Sequence, residues 1–249
     1  MNRVFGLVGR YMILMARVFS RPEKARIYVR RTLFEMQGLG VNSIGLTFII
    51  SIFIGAVTSL QMFTYLRGAG AIIPPHLIAF ATREVLVLEF SSTVVALILA
   101  GKVGSSIASE IGTMRITEQI DALEVMGVNS AGYLILPKLI ATVIFFPMLA
   151  VISIVVGVFG GYAVSIFVGL MPADIYIEGL RYHFDVFSVS YSLIKMSIFA
   201  FLITSVSAFY GYYAKDNSLE VGRASTQAVV VSSVLVLVFD LILTQLLLL

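Results

Sequence analysis

The chain has 249 residues, of which 59% are hydrophobic and 12% charged, with a formal net charge of +3. Its mean hydropathy is +1.01. Soluble domains carry about 25% charged and about 45–50% apolar residues, so there is too little polar surface here to cover a water-facing body. A soluble enzyme and a disordered chain are both excluded, which leaves an integral membrane protein. The absence of cysteine removes disulfides, thiolate metal sites and cysteine nucleophiles. His76 and His183 are too few for a histidine-built metal site.

Eight of the 17 basic residues lie in the first 31 positions: Arg3, Arg10, Arg17, Arg21, Lys24, Arg26, Arg30 and Arg31. Arg3, Arg10, Arg17, Lys24 and Arg31 recur every seven residues. On a helix that spacing makes one basic stripe, drifting about 20° per repeat. Val4, Phe5, Val8, Met12, Met15 and Phe19 fill much of the remaining surface. The pattern predicts a helix lying in the membrane interface, with basic side chains snorkelling to headgroups. Arg10 and Arg17 interrupt any signal-peptide core. Ser20-Arg21-Pro22-Glu23 has the form of a capping box, so a second basic helix over 21–37 is expected, and residues 1–37 form the interfacial region. Because membrane spans follow at once, the basic cluster is assigned to anionic lipid on the cytoplasmic side rather than to nucleic acid.

A crossing helix needs about 20 apolar residues. Five spans are predicted, over 41–66, 77–101, 134–170, 187–213 and 224–248. Arg67-Gly68-Ala69-Gly70 and Pro74-Pro75 break the first from the second. Leu139 to Ala173 carries no charge over 35 residues, about 52 Å if helical. It is taken as one long span, tilted or broken near Pro147 or Gly157, Gly160 and Gly161, with two half-helices as the lesser alternative. An odd number of spans puts the termini on opposite sides. With the amino terminus inside, 13 of 17 basic residues are cytoplasmic, which fits the positive-inside bias.

The stretch between spans two and three is the most informative. Ile116, Ile120 and Leu123 share one helical face, while Glu118, Asp121 and Glu124 form an acidic one. Gly127 sits where a helix closes on a left-handed residue. A short amphipathic helix over about 114–126 is expected, joined at Gly112 to an extension of the second span and shaped to dock a soluble partner. An acidic face is unsuited to anionic headgroups. Gly101-Lys102 is no phosphate loop, since position 96 is Ala and position 103 is Val. Any ATP hydrolysis must therefore come from another subunit.

Glu110 to Gly127, Glu-Ile-Gly-Thr-Met-Arg-Ile-Thr-Glu-Gln-Ile-Asp-Ala-Leu-Glu-Val-Met-Gly, resembles the signature of the MlaE/YrbE permeases. The likeness extends to Ala100-Gly101-Lys102-Val103-Gly104-Ser105, to Tyr133 through Lys138 and to Gly222-Arg223-Ala224-Ser225-Thr226-Gln227. These permeases are the membrane subunits of ABC transporters that work with MCE proteins. The resemblance implies a single all-α permease domain over 1–249 with an amino-terminal interfacial helix, five transmembrane helices and a cytoplasmic coupling helix. It implies a homodimer in the bacterial inner membrane, bound to ATPase subunits that hold ATP and magnesium. It further implies a periplasmic MCE-domain lipid-binding protein, a small STAS-type accessory subunit and a phospholipid cargo, with no cofactor in this chain and no enzymatic activity of its own. The coupling helix maps onto 110–126, with Glu110, Thr113, Met114, Arg115, Thr117, Glu118, Gln119, Asp121 and Glu124 facing the ATPase. The membrane-exposed Glu of the family's Arg-Glu-Leu-Gly-Pro pattern maps onto Glu89. Here the neighbouring Arg is Leu88 and the Pro is Ser92.

Ionisable groups inside spans are costly and mark function by default. Glu89 lies about 18 Å from Gly101 along a helix and is the first lipid-binding candidate. Arg83, Glu84, Gln61, Tyr65 and Lys195 complete the set. Two reaches are open to Lys195, outer headgroups or Glu89. Asp240 is expected in a structural hydrogen bond, and Gly157/Gly161 has the small-xxx-small spacing of close helix packing. Two rival classes are distinguishable: an ion-coupled secondary transporter of an amphipathic substrate, relaying through Glu89, Lys195 and Asp240, and a membrane-embedded enzyme, for which no nucleophile or metal set is present.

Overall fold

The computed structural model describes residues 2–20, 25–68, 74–215 and 217–248. Among these, every regular element is helical. They are α1 (Asn2–Phe19), α2 (Ala25–Glu35), α3 (Asn42–Gly68), α4 (Pro75–Val85), α5 (Val95–Leu99), α6 (Ser105–Ile116), α7 (Gln119–Val125), α8 (Ser130–Phe167), α9 (Ala173–Arg181), α10 (Val186–Tyr212) and α11 (Ser218–Leu248). Three wider π-helical stretches, Met36–Val41, Leu86–Val94 and Ala100–Gly104, join α2 to α3, α4 to α5 and α5 to α6. Five helical runs are long and apolar enough to cross a membrane: Tyr28–Leu66, Pro75–Ile116, Ser130–Phe167, Val186–Tyr212 and Ser218–Leu247.

These runs correct several predicted boundaries. The second basic helix does not stand apart from the first span. It passes straight into it through the π stretch that absorbs Gly38 and Gly40. Gly40 admits no side chain, because a Cβ there would lie 2.4 Å from the Phe145 ring. Ser20 Oγ donates to the Arg17 carbonyl at 2.9 Å, at the end of α1. The rest of the expected capping box, Arg21 to Glu23, lies outside the described residues. The long apolar third segment is one helix of 38 residues, about 57 Å. It ends where the Leu170 amide donates to Ser165 and Gly169 takes φ +69°, a left-handed closure that glycine adopts without penalty.

The chain divides into two compact units, described in turn. The first comprises 1–42, 96–146 and 197–249. Its core includes Leu14 and Val18 of α1, Leu99, Ile107, Ile111 and Ile120. α10 passes close to α6, since a Cβ on Gly211 would come within 2.6 Å of the Ala108 carbonyl. Asn129 donates to the carbonyls of Arg17 (2.8 Å) and Ser20 (2.7 Å), tying down the end of α1. Tyr11 donates to Ser205 at 2.8 Å, and burial pushes its phenol pKa up.

The second unit comprises 43–95 and 147–196. α3 and α8 cross it along a seam of small residues. Ser51 donates to Ser153 at 2.8 Å, and Ser59 and Ser165 lie 2.9 Å apart. Between them a Cβ on Gly55 would fall 1.8 Å from the Gly157 carbonyl, and one on Gly160 would fall 2.3 Å from that of Ile52. This is the close approach that the Gly157/Gly161 spacing anticipates. α9 lies against α4 with equal closeness, Gly179 facing the His76 carbonyl. Tyr176 of α9 is buried with Ile78, Ala79 and Met171, and its phenol is pushed up to about 12 by desolvation.

Candidate functional site

Two clusters gather most of the residues singled out from the sequence. The first lies in the second unit, on the π-helical stretch Leu86–Val94. Such stretches are rare and widen the helix locally, often at functional positions. Glu89 projects from this stretch and keeps 37% of its side chain exposed. Of the two reaches open to Lys195, the structure selects Glu89. Lys195 Nζ on α10 stands 3.1 Å from Glu89 Oε2 and 3.3 Å from the Leu88 carbonyl. The ammonium also lies 4.9 Å from the centre of the Tyr191 ring, a favourable cation–π geometry. Thr93 donates to the same Glu89 oxygen at 3.3 Å. The Lys195 side chain is fully buried while Glu89 is not. A buried cation thus holds a carboxylate at an accessible surface.

Arg83 and Glu84 belong to a different construction. The Arg83 guanidinium is buried and donates to the carbonyls of Leu180 (2.6 Å), Tyr182 (3.0 Å) and His183 (3.2 Å). Glu84 Oε1 accepts from Arg83 Nε at 3.0 Å. Arg83 therefore caps the carboxyl end of α9, where unpaired carbonyls favour a cation, and does not join Glu89. The position expected of the family arginine is Leu88, and the charge beside Glu89 comes from another helix. Gln61 and Tyr65 are exposed on α3.

The second cluster lies in the first unit, on the segment between the second and third spans. α6 runs unbroken through Gly112, which is not the expected joint. Gly112 is instead a contact point, where a Cβ would meet Val221 at 3.0 Å. The break falls six residues later, at Glu118, which takes φ +60° and leads into the seven-residue α7. The expected single helix over 114–126 is therefore two pieces at an angle. α7 closes as anticipated on Gly127, at φ +76°, with the Val128 amide donating to Leu123. Ile120 is fully buried and Ile116 packs on Ala214 and Val221, so the apolar face points inward.

The acidic face is partly engaged within the fold. Arg115 donates to Asp121 at 2.7 Å. Glu124 accepts from Ser130 (2.9 Å) and Tyr212 (3.0 Å). Glu110 pairs at 2.7 Å with Lys138, which pairs equally with Glu35. Thr113, Thr117, Glu118 and Gln119 are exposed, and Met114 is half-buried. Gln119 donates to Thr117 at 3.0 Å. Beyond them, Val125 and Met126 are 89% and 68% exposed, an apolar tip at the end of α7. The Glu35–Lys138–Glu110 triad was not foreseen. Its only sequence signal is a lysine placed directly before a long uncharged run.

Membrane-length helices, with a short helical projection between the second and third of them, define a multi-pass membrane protein. The family model for Permease MlaE matches residues 32–246, and the chain belongs to the MlaE permease family. It is 34% identical over 239 residues to a probable ABC transporter permease of Rickettsia bellii, covering 96% of this chain and 91% of that one. It is 31% identical to a probable ABC transporter permease of Synechocystis, covering 94% and 87%. It is 29% identical to the chloroplastic protein TRIGALACTOSYLDIACYLGLYCEROL 1 of Arabidopsis thaliana, covering 94% and 66%. The protein is thus a multi-pass membrane permease of an ABC transporter, a class whose name implies an ATPase partner.

Proposed function

We propose that this permease moves phospholipid between the bacterial inner membrane and a periplasmic MCE-domain protein, as a homodimer driven by separate ATPase subunits that bind ATP and magnesium. The observation that carries the reading is the partly exposed Glu89 carboxylate, anchored by buried Lys195 within a membrane-length helical run. An accessible carboxylate among apolar walls suits an amphipathic cargo, whose headgroup supplies hydrogen-bond donors while its acyl chains remain in hydrocarbon. The name of the Arabidopsis relative, which is that of a glycolipid, is in keeping with a lipid cargo.

The amino terminus is cytoplasmic in this reading. The exposed face of α6 and α7, from Thr113 to Met126, receives the ATPase, with a STAS-type subunit as a further partner. Val125 and Met126 supply apolar contact, and Glu118 supplies charge. Closure of the ATPase pair pulls on α6 and α8 and shifts a two-state dimer. The test is ATP-dependent lipid transfer in proteoliposomes holding the complete complex. Glu89→Ala should reduce transfer at least tenfold with ATPase assembly intact, and Glu118→Lys with Met126→Asp should abolish co-purification of the ATPase. Undiminished transfer in the first variant removes Glu89 from the lipid path. Transfer driven by an ion gradient without ATP overturns the whole reading in favour of a secondary transporter.

A further inference from the structure

A cavity of about 630 Å³ in the first unit lies well apart in sequence from the Glu89 cluster and is built from three elements. Arg10 enters it from α1, Lys215 from the turn after α10 and Arg223 from α11. One carboxylate, Glu220, shares the wall, and Arg223 pairs with it at 2.7 Å. Among the described residues that line it, three cations stand against one carboxylate. Its inner wall is aromatic: Phe209 is packed edge-on against Tyr210 (5.5 Å) and Tyr213 (5.1 Å). The cavity stands at the level of the span ends, since the fourth span closes at Tyr212 and the fifth opens at Ser218. Leu7 lines it from α1, and Leu7 and Ile13, both exposed, flank Arg10 on that side of the helix.

We propose that this cavity binds the headgroup of an anionic phospholipid, at a site separate from the path of the transported lipid. A phosphate has the charge and size for the three-cation wall. Tyrosines at that depth suit the interfacial level of a bilayer. Leu7 and Ile13, exposed on either side of Arg10, give the acyl chains an apolar surface next to the cations. A soluble phosphate compound would use the cations but not that surface. The bound lipid holds α1 against the α10–α11 turn, so the occupied site braces the first unit.

The experiment is native mass spectrometry of the full-length chain in detergent, titrated with phosphatidylglycerol or phosphatidylcholine. Phosphatidylglycerol should be retained over phosphatidylcholine. Arg10→Gln with Lys215→Gln should lower retention about 25-fold, from about fivefold per cation removed. Arg10→Lys should keep it. Arg17→Gln, an exposed basic position on the same helix but outside the cavity, should leave it within twofold. Equal retention of both lipids, or an equal loss with Arg17→Gln, overturns the site. Displacement of phosphatidylglycerol by millimolar inorganic phosphate, and not by chloride of equal ionic strength, overturns the lipid assignment in favour of a soluble phosphate ligand. None of these readouts depends on transport, so failure here leaves the proposed function standing and the reverse holds as well.

Discussion

Two buried lysines show how the chain tolerates charge among so many apolar residues. Lys138 is 1% exposed and meets two carboxylates, whereas Lys195 meets one that is partly solvated. Removing one partner of a buried pair leaves the other charge uncompensated, and that cost exceeds the net worth of the pair. Lys138→Met should therefore destabilise the protein by about 3 kcal/mol, read as a lower Tm in detergent, because Glu35 and Glu110 are left facing one another. Lys195→Met should cost less, about 1–2 kcal/mol, since Glu89 retains access to solvent. Adding Glu89→Gln to Lys195→Met should restore most of that loss. A Tm that falls further in the double variant would mean the pair is not the stabilising contact. Glu89 was legible as a candidate because a carboxylate in a span is rare. Its pairing with Lys195 was legible only as one of two reaches, since Lys195 lies 106 residues away and chain order does not encode which helix faces which.

At the scale of elements, backbone approach and backbone conformation decide more than side-chain type. Gly45 and Gly55 lie on the same helix, yet a Cβ at Gly45 meets nothing within 4 Å and one at Gly55 meets backbone at 1.8 Å. Gly45→Ala should be neutral or stabilising by up to about 1 kcal/mol. Gly55→Ala should cost about 2–3 kcal/mol, because α3 and α8 must part. Thermal unfolding of the two variants side by side separates helix propensity from seam packing. Glu118 makes the converse case. A left-handed residue with a side chain carries about 1 kcal/mol of strain, so Glu118→Gly should raise Tm slightly and Glu118→Val should lower it. Equal Tm values for these two would mean that the bend between α6 and α7 does not persist in the protein. The acidic periodicity of 118, 121 and 124 was visible in sequence, but the bend was not. Asp121 reaches Arg115, six residues back, only because the chain turns between them.

For the whole molecule, five spans require the two ends of the chain to lie on opposite sides of the membrane. The chain contains no cysteine, so each introduced one is a unique reporter. Asn217→Cys, in the turn before α11, should be labelled by a membrane-impermeant reagent only from the cytoplasmic side. Tyr182→Cys, after α9, should be labelled only from the periplasmic side. Labelling of both from one face would overturn the topology.

Composition and periodicity by themselves determined that the chain is an all-helical membrane protein with five spans and that a short helical segment projects between the second and third. Those features follow from hydrophobicity and local backbone chemistry, which each segment carries whatever its neighbours. Only the tertiary structure decided that Arg83 caps α9 and leaves Glu89 to Lys195, that Lys138 holds two carboxylates, and that Gly112 is a contact while Glu118 is the bend. These depend on contacts between residues remote in the chain, where an unpaired buried charge or a carbonyl at the site of a missing Cβ decides which arrangement survives. At Glu89–Lys195 and at Lys138 the scarce charges meet across helices, and that pairing is a property of the packed helices.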